Sequence, residues 1–378
     1  MKIKSLAYAD PRGDGWLLDT LRLKGGLNLF VGASGSGKTR VLNMLFNIGA
    51  FAASDRFANG KWTLHFEHAA TEYTWQFDGD YVGDDREARV LSEDLWIGTP
   101  THVGTSLFSR DDAHFTCGDM LVPKLAKEST AVYLLREEPA IKPVHEAFSQ
   151  IIRRRFWSED LQASVNLHPL PHRLIQKLDQ RSAQLPEIAK AGLPLHTTLY
   201  IVGKYFPEAY ALIVERFKRV FPFVTAIRTR PASQVLNVPV SGDILAAEIK
   251  ERGIDKPVVL NEIASGMLKV LLIITDVVTA SPDLLYLIDE YENSLGANAI
   301  DFLPSFLADC GGPRQFIITT HHPLLINTIP VSDWFVFHRK GLNITVMYGP
   351  EIESRYGRSK QQRFTQLIND PLYTEGVE

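Results

Sequence analysis

The chain has 378 residues, of which 45% are hydrophobic and 22% charged, and its formal net charge is −4. This composition is ordinary for a soluble chain of about two domains. The charge gives no overall attraction to nucleic acid or to an anionic membrane, so any contact with a polyanion would be local. Cys117 and Cys310 are far apart and lack the spacing of zinc ligands, so neither a disulfide framework nor a zinc site is predicted.

The amino terminus, MKIKSLAYADPRGDG, lacks the apolar segment of a signal peptide. The longest apolar run, 267–278, contains Lys269 and Asp276 and is shorter than the roughly 18 to 20 residues that span a bilayer. We therefore expect a cytoplasmic protein with no membrane partner.

The first thirty residues predict β-structure, with strands at 2–8, 16–23 and 27–31. The third strand runs into the glycine-rich segment 32–39, after which apolar residues at helical spacing predict a helix. The segment KWTLHFEHAATEYTWQFDG, 61–79, alternates apolar and polar residues. This alternation predicts an antiparallel hairpin with one buried face.

Charged segments with helical periodicity and proline-marked ends predict a mostly helical lobe from about 117 to 254. Alternating helices and strands return after 255. The elements predicted there are a helix at 266–280, a strand at 284–288, a helix at 297–308, a strand at 315–319 and two further strands before 349. The predicted organisation is therefore a discontinuous α/β domain, 1–116 and 255–349, with an inserted lobe, 117–254, and a polar tail, 350–378.

The segment GASGSGKT, 32–39, matches the phosphate-binding pattern G-x-x-x-x-G-K-[ST]. Glycines let successive backbone N–H groups face the phosphates, Lys38 supplies a neutralising charge, and the Thr39 hydroxyl suits Mg²⁺. A buried strand before the segment and a helix after it distinguish it from an ordinary glycine-rich turn. The predicted nucleotide-binding residues are Gly32, Ala33, Ser34, Gly35, Ser36, Gly37, Lys38, Thr39 and Arg40.

Two later predicted strands also end in polar residues. The strand at 284–288 is followed by Asp289, placed to orient Mg²⁺ beside Thr39, and by Glu290, placed to polarise an attacking water. The strand at 315–319 leads to His321, which could donate a hydrogen bond to a γ-phosphate or to Glu290, or could simply lie on the surface before a helix. Because open α/β sheets bind ligands where parallel strands end, we expect these strand ends to converge.

The segment LNEIASGMLKV, 260–270, sets Ser265 and Gly266 in front of an almost wholly apolar helix. Packing accounts for the body of that helix. Its amino-terminal end, with unsatisfied N–H groups and a positive dipole, is predicted to be an anion site.

Taken in order, GASGSGKT, NEIASGM, YLIDEYENSLG and TTHHP resemble the ABC-type ATPase heads of the RecF/SMC group. They are similar in particular to the compact stand-alone or OLD-like ABC ATPases, which are often described simply as AAA-type ATP-binding domains. The resemblance covers 1–110 and 235–349. It implies an α/β fold: a P-loop ABC-ATPase head with a β-rich N-terminal subdomain, a central parallel sheet flanked by helices, and an inserted mostly helical lobe.

The resemblance also implies that two subunits dimerise head to tail around ATP and Mg²⁺. Lys38 and Thr39 would hold phosphate and metal, Asp289 would support the metal, Glu290 would be the catalytic base and His321 the switch histidine. The signature segment of one subunit would face the ATP of the other. Its residues are Ala264, Ser265, Gly266 and Met267.

This sequence departs from the family pattern at two points. Ala264 stands where the family usually has a phosphate-binding serine, so either Ser265 replaces it or backbone N–H groups act alone. The family's glutamine-loop residue stays open among Gln76, Gln150 and Gln162, and Gln76 fits a hairpin strand better.

The resemblance further implies an ATPase that controls a separate effector, a nuclease or toxin, as in two-component anti-phage systems such as Septu or PARIS. The segment after His321 is too short for the TOPRIM nuclease of OLD-type proteins. The alternative is a DNA-repair or chromosome-maintenance head that binds duplex DNA through basic helical segments, although such charge runs are commonly solvated faces. The residues for that contact are Arg153, Arg154, Arg155, Arg216, Lys218, Arg219, Arg228 and Arg230. A transporter subunit would need membrane partners and finds no support in the central insertion.

Overall fold

The computed structural model describes residues 1–11, 15–99, 102–118, 120–156, 169–236, 244–310, 314–357 and 359–374. The chain divides into two compact units. Unit 1 consists of Met1–Arg154, Pro282–Glu290 and Leu307–Glu378, and unit 2 consists of Arg155–Ser281 and Tyr291–Phe306.

The strands of unit 1 form one sheet of 14 strands. In chain order they are β1 (Lys2–Ala9), β2 (Leu17–Arg22), β3 (Gly26–Val31), β4 (Gly60–His68), β5 (Thr71–Val82), β6 (Glu87–Thr99), β7 (His102–Arg110), β8 (Phe115–Cys117), β9 (Met120–Leu121), β10 (Ile151–Arg155), β14 (Leu285–Asp289), β15 (Gln315–Thr319), β16 (Trp334–Lys340) and β17 (Asn343–Tyr348). Their order across the sheet is β10-β14-β15-β3-β16-β17-β2-β1-β4-β5-β6-β7-β8-β9.

The predicted central parallel sheet is confirmed, and it continues into an antiparallel half. Strands β14, β15, β3 and β16 pair in parallel, whereas the strands from β2 through β1 and β4 to β9 pair antiparallel. All residues of β14 and β15 are buried. Strands covered on both faces read as continuous apolar runs, which is why the sequence identified these two.

The predicted hairpin at 61–79 is confirmed as β4 and β5, with Trp62 opposite Phe77 and Phe66 opposite Tyr73. The alternating apolar side chains of the hairpin that are buried in the core of unit 1 are Trp62, Leu64, Phe66, Tyr73, Trp75 and Phe77. Phe77 also packs edge-on against Phe51, with ring centroids 5.3 Å apart. Phe51 lies in the helix that follows the glycine-rich segment, so the hairpin and this helix share one core.

A buried charge pair lies in the antiparallel half of the sheet. The Glu93 carboxylate is 3.1 Å from Arg110 Nη2 and accepts hydrogen bonds from Trp75 Nε1 at 3.0 Å and from the Ala131 amide at 2.8 Å. Thr130 also donates to it. Burial raises the pKa of Glu93, and the charge of Arg110 acts in the opposite direction. The carboxylate thereby ties β6 to the start of the next helix.

Unit 1 also contains short helices around the sheet. They are α1 (Lys38–Ser54), α2 (Ala131–Leu134), α3 (Lys142–Phe148), α11 (Pro323–Thr328), α12 (Gly349–Arg355), α13 (Lys360–Asn369) and α14 (Pro371–Thr374), with a 3₁₀ turn at Val331–Asp333. The predicted polar tail is thus largely helical between 349 and 374. Within the described ranges, no helix is long and apolar enough to cross a membrane.

Unit 2 combines helices with a small antiparallel sheet. Its helices are α4 (His172–Asp179), α5 (Leu185–Lys190), α6 (Leu195–Tyr205), α7 (Pro207–Val220), α8 (Ala232–Leu236), α9 (Ser265–Thr279) and most of α10 (Ala297–Asp309), and its strands are β11 (Val224–Pro231), β12 (Leu245–Glu251) and β13 (Val258–Val259), followed by a 3₁₀ turn at Leu260–Glu262. The sheet, in the order β11-β12-β13, was not predicted. The sequence of β12, LAAEIKE, favours a helix, and only pairing with its neighbours makes it a strand.

The division into units differs from the predicted boundaries at 116/117 and 254/255. Residues 117–154 lie in unit 1, because α2 and α3 pack on α1 and β10 joins the large sheet. Helix α9 and residues 291–306 lie in unit 2, because α9 packs against α7, α5 and α6.

Candidate functional site

Three neighbouring parallel strands of unit 1 end at the same edge of the sheet. Strand β15 lies between β14 and β3, with Ile288 beside Ile318 and Thr319 beside Phe30. Strand β14 ends at Asp289 and is followed by Glu290, β15 is followed by residues 320–322, and β3 is followed by the segment 32–37. The structure therefore brings together the strand ends that the sequence singled out, at the edge where open α/β sheets bind ligands.

The glycine-rich segment encloses the side chain of Lys38. The Lys38 Nζ atom donates to the carbonyl oxygens of Gly32 at 2.7 Å and Ala33 at 2.9 Å. Gly37 adopts a φ of 103°, and a Cβ there would lie 2.3 Å from Ile344 Cδ1, so only glycine fits. Helix α1 begins immediately afterwards, and no side chain of the described residues caps it. The positive end of α1 and the Lys38 ammonium thus lie together, which suits a phosphate.

Asp289, at the end of β14, contacts both the end of β15 and the start of α1. Its Oδ1 atom accepts hydrogen bonds from Thr39 Oγ1 at 2.9 Å and from Thr319 Oγ1 at 2.7 Å. The Asp289 side chain is almost fully buried. A carboxylate and a hydroxyl in direct contact beside a phosphate-binding loop are the hard oxygen donors that Mg²⁺ prefers. Thr39 and Asp289 therefore fit the predicted metal site.

Thr319 also holds the backbone of Glu290. The Glu290 amide donates to Thr319 Oγ1 at 2.8 Å, and Glu290 adopts a left-handed φ of 48°. That conformation costs a non-glycine residue about 1 kcal/mol or more, and it persists where neighbouring contacts fix it. The Glu290 side chain is exposed. Thr319 was not assigned a role from the sequence, although a buried threonine ending the otherwise apolar strand segment FIIT was a usable signal.

Arg153 lies beside Asp289 and not on a DNA-binding face, which corrects the expectation from the sequence. Residues 151–155 form the edge strand β10, not part of a helix. The Arg153 side chain is 3% exposed, with Nη2 3.9 Å from Asp289 Oδ2. It also bonds to Asn43 and lies 5.6 Å from the Phe46 ring. Arg153 thus helps to neutralise the buried carboxylate.

The structure describes the predicted histidine and two of the three candidate glutamines. His321 is exposed just beyond β15, and its switch role stays a prediction. Gln76 lies in β5, as expected for a hairpin strand. The Gln150 carbonyl accepts from the Leu285 amide at 3.2 Å, at the start of β14 and away from Asp289. Gln162 lies outside the described residues, so the glutamine-loop residue is not identified.

In unit 2, the signature segment forms the beginning of α9. Ala264 is the N-cap, and its carbonyl accepts from the Leu268 amide at 3.1 Å. Among the described residues no side chain caps this helix. Ala264 and Ser265 are exposed, whereas the Met267 side chain is buried. Met267 can therefore offer only its backbone to a ligand, together with the N–H groups of the preceding two residues.

A cavity of about 250 Å³ lies along α1, between it and β1. Tyr8 and Trp16 stack at its wall, with ring centroids 4.6 Å apart, and Arg40 Cζ lies 5.7 Å from the Trp16 ring. Asn43 and other residues of α1 complete the lining. Tyr8 and Trp16 were read only as strand residues. The sequence feature that could have identified this aromatic wall is the pair of aromatic residues on either side of the predicted turn between the first two strands.

Comparison with known proteins gives both a family match and fold matches. Residues 167–327 match the family model described as "AAA domain, putative AbiEii toxin, Type IV TA system". This match includes the signature segment, Asp289, Glu290 and His321, and begins after the phosphate-binding loop. No curated protein sequence matches the chain.

Two solved structures of SMC heads share the fold. The Smc head bound to the C-terminal winged-helix domain of ScpA has a TM-score of 0.54 at 14% identity, covering 92% of this chain and 98% of that chain. The Smc head of Pyrococcus furiosus, with an extended coiled coil and bound to the C-terminal domain of ScpA, has a TM-score of 0.51 at 13% identity, covering 92% and 96%. The chain therefore has the fold of an SMC-type ATPase head, as the motifs implied.

Proposed function

We propose that this chain, whose fold is that of SMC ATPase heads, binds ATP with Mg²⁺ and hydrolyses it. The observation that carries the proposal is the meeting of Lys38, Thr39 and Asp289 at one sheet edge. A phosphate-binding ammonium and a hydroxyl in contact with a carboxylate are the parts that phosphoryl-transfer sites of this loop type use.

Each side chain has a distinct task in this proposal. Lys38 exchanges its carbonyl partners for phosphate oxygens, and the amides of 32–39 donate to the same phosphates. Thr39 and Asp289 hold Mg²⁺, which when bound neutralises charge on the transferred phosphoryl group. Glu290 orients a water and accepts its proton, while Thr319 fixes its backbone. His321 is proposed as the residue that contacts the γ-phosphate.

The cavity beside α1 supports a nucleotide rather than a bare phosphate as ligand. The stacked rings of Tyr8 and Trp16 offer an aromatic surface to a base. Arg40, the residue after Thr39 in the chain, lies over the Trp16 ring. Stacking on an aromatic side chain is worth about 1 to 3 kcal/mol per base. We assign the cavity to the base and ribose of ATP.

The exposed start of α9 supports a second proposal, that the ATPase works as a dimer of this chain. Uncapped N–H groups at a helix start attract anions, and Ser265 and Gly266 are placed at that start. In a head-to-tail dimer they would contact the γ-phosphate bound by the partner subunit. Both copies are then needed for hydrolysis.

The ATPase proposal is tested by replacing Lys38 with alanine. We expect Lys38→Ala to bind a fluorescent ATP analogue roughly 10- to 100-fold more weakly, because one charge-assisted contact is lost, and to release no phosphate above background. Lys61→Ala, which removes an exposed lysine of the same unit, serves as the matched control. Wild-type affinity and turnover in Lys38→Ala contradict the proposal.

For the biological role, we propose that ATP-driven dimerisation controls a separately encoded nuclease or toxin in anti-phage defence in the cytoplasm. Two observations support a protein partner. The description of the matching family model names a toxin, and both SMC heads are bound to ScpA domains. The test is co-purification with the product of the neighbouring reading frame. We expect it with Glu290→Gln, which keeps ATP bound, and not with Lys38→Ala; equal capture by both contradicts ATP control.

A DNA-repair or chromosome-maintenance head is the second candidate, and the SMC fold favours it. The basic residues give it less support, because Arg219 pairs with Glu215 and Arg230 with Glu248, each at 2.8 Å. Filter binding of duplex DNA at two salt concentrations decides between the candidates. Affinity that falls steeply with salt supports phosphate contacts, and affinity without that slope excludes them.

A further inference from the structure

The loop 290–296 leads from the candidate catalytic residue to α10 and contacts the signature helix α9. Glu290 belongs to unit 1, whereas residues 291–296 belong to unit 2. At its first residue the loop is held by Thr319 Oγ1. After the loop, Asn298 Nδ2 donates to the carbonyl of Val220 in α7 at 3.0 Å. Hydrogen bonds therefore hold the first residue of the loop and the start of the helix that follows it.

Lys269, in the second turn of α9, holds the middle of this loop. Its side chain is fully buried, and its Nζ donates to the Asn293 carbonyl at 3.0 Å. The ammonium also lies 4.2 Å from the Phe156 ring and 5.8 Å from the Tyr291 ring. Burying an ammonium is costly unless polar or π partners compensate it. A leucine or methionine would fill this space without that cost, so packing alone does not account for a lysine here.

The first turn of α9 touches the same loop. A Cβ on Gly266 would lie 2.3 Å from the Ser294 carbonyl oxygen, so the helix start and the loop backbone are in direct contact. Ser294 itself has a left-handed φ of 63°. Two neighbouring contacts, one at Gly266 and one at Lys269, thus fasten the loop to the part of α9 that is predicted to meet an anion.

We propose that Lys269 is a positioning residue that couples the start of α9 to Glu290. An anion bound at Ser265 fixes the first turn of α9, this turn fixes the loop through Gly266 and Lys269, and the loop fixes the backbone of Glu290. The left-handed conformation of Glu290 depends on such contacts. In the dimer, each subunit's catalytic residue is then set by the ATP that its own α9 meets on the partner. This inference rests on the proposed ATPase function.

The test replaces Lys269 with methionine, an unbranched side chain one heavy atom shorter, which removes the charge and the donor. Replacing a buried charge with a well-packed apolar residue is commonly neutral or stabilising, so the variant is expected to fold. Lys269→Arg restores a cation and a donor, and Lys250→Met changes an exposed lysine of the same unit. Melting temperature, affinity for a fluorescent ATP analogue, kcat, KM and amide hydrogen exchange are measured on the full chain.

We expect Lys269→Met to keep its melting temperature and ATP-analogue affinity, to lose roughly 10- to 100-fold in kcat, and to exchange amide hydrogens of 290–296 faster. Lys269→Arg is expected to recover part of the rate, and Lys250→Met to match the wild type. Wild-type kcat in Lys269→Met overturns the proposal, even if hydrogen exchange is faster. Absence of ATP turnover in the wild type contradicts the proposed function instead, so the two failures are distinguishable.

Discussion

Thr39 Oγ1 donates a hydrogen bond of 2.9 Å to Asp289 Oδ1, across 250 positions of sequence. Thr319 donates to the same oxygen at 2.7 Å, so the ends of β14 and β15 and the start of α1 share one buried carboxylate. In the proposed function Thr39 and Asp289 are the metal ligands. Thr319 touches both Asp289 and Glu290 without being either ligand or base, which makes it a sensitive position for testing the arrangement.

Thr319→Val is expected to lower kcat by roughly 10- to 100-fold, because a displaced Asp289 and Glu290 disturb the geometry of the reacting groups. Valine has the shape of threonine but leaves the Glu290 amide without its hydroxyl acceptor, at a cost of about 1 to 3 kcal/mol in unfolding free energy. Thr319→Ser keeps the hydroxyl and is expected to stay near the wild-type rate. Steady-state phosphate release measures both variants, and equal rates in them contradict the role of Thr319.

Glu290→Gln is expected to bind ATP normally and to turn it over roughly 100- to 10,000-fold more slowly, because glutamine cannot accept the proton of the attacking water. ATP should then hold the variant as a dimer, measured by light scattering. Glu146→Gln, which changes an exposed carboxylate of the same unit, is the control. Undiminished hydrolysis by Glu290→Gln would remove Glu290 from the mechanism.

Ser265→Ala tests the hydroxyl at the start of α9. Because Ala264 occupies the family's usual serine position, we expect Ser265 to supply the phosphate contact, and its loss to weaken ATP-driven dimerisation in a Glu290→Gln background. The dimer fraction is measured by light scattering over a range of protein concentrations. An unchanged fraction shows that only the backbone N–H groups and Gly266 matter.

Trp16→Ala tests the cavity along α1. We expect roughly tenfold weaker binding of ATP, because a base loses about 1 to 3 kcal/mol of stacking. Binding of inorganic tripolyphosphate, which has no base, should be unchanged, and Trp16→Phe should retain most of the ATP affinity. Competition against a fluorescent ATP analogue measures both ligands. A parallel loss for ATP and tripolyphosphate would indicate damage to the phosphate site instead.

Glu93→Ala tests the buried charge pair of unit 1. Removing the carboxylate leaves Arg110, whose side chain is 6% exposed, without its ion-pair partner, so we expect a loss of about 3 to 5 kcal/mol in unfolding free energy. Glu93→Gln keeps one carbonyl oxygen, which can accept from both Trp75 and Thr130, and should lose less. Urea-induced unfolding followed by tryptophan fluorescence compares the two variants. Equal losses would show that the charge, which both variants remove, stabilises this contact and that the hydrogen bonds kept by glutamine add little.

The sequence determined those parts of the protein whose signals are local. The glycine-rich segment, the helix after it and the hairpin of β4 and β5 follow from residues adjacent in the chain. The apolar strands β14 and β15 could be read because burial on both faces removes polar alternation. The order of the four motifs along the chain also indicated the ATPase-head fold. Their polar residues were expected to converge because parallel strands end at one edge of their sheet.

The tertiary structure decided what depends on distant residues. The run at 151–155 reads as a charged helix, yet pairing with β14 makes it an edge strand and turns Arg153 towards Asp289. The contact between Lys269 and Asn293 likewise needs α9 and the 290–296 loop to pack together. Local propensity does not predict such contacts, because their free energy depends on residues that become neighbours only in the folded chain.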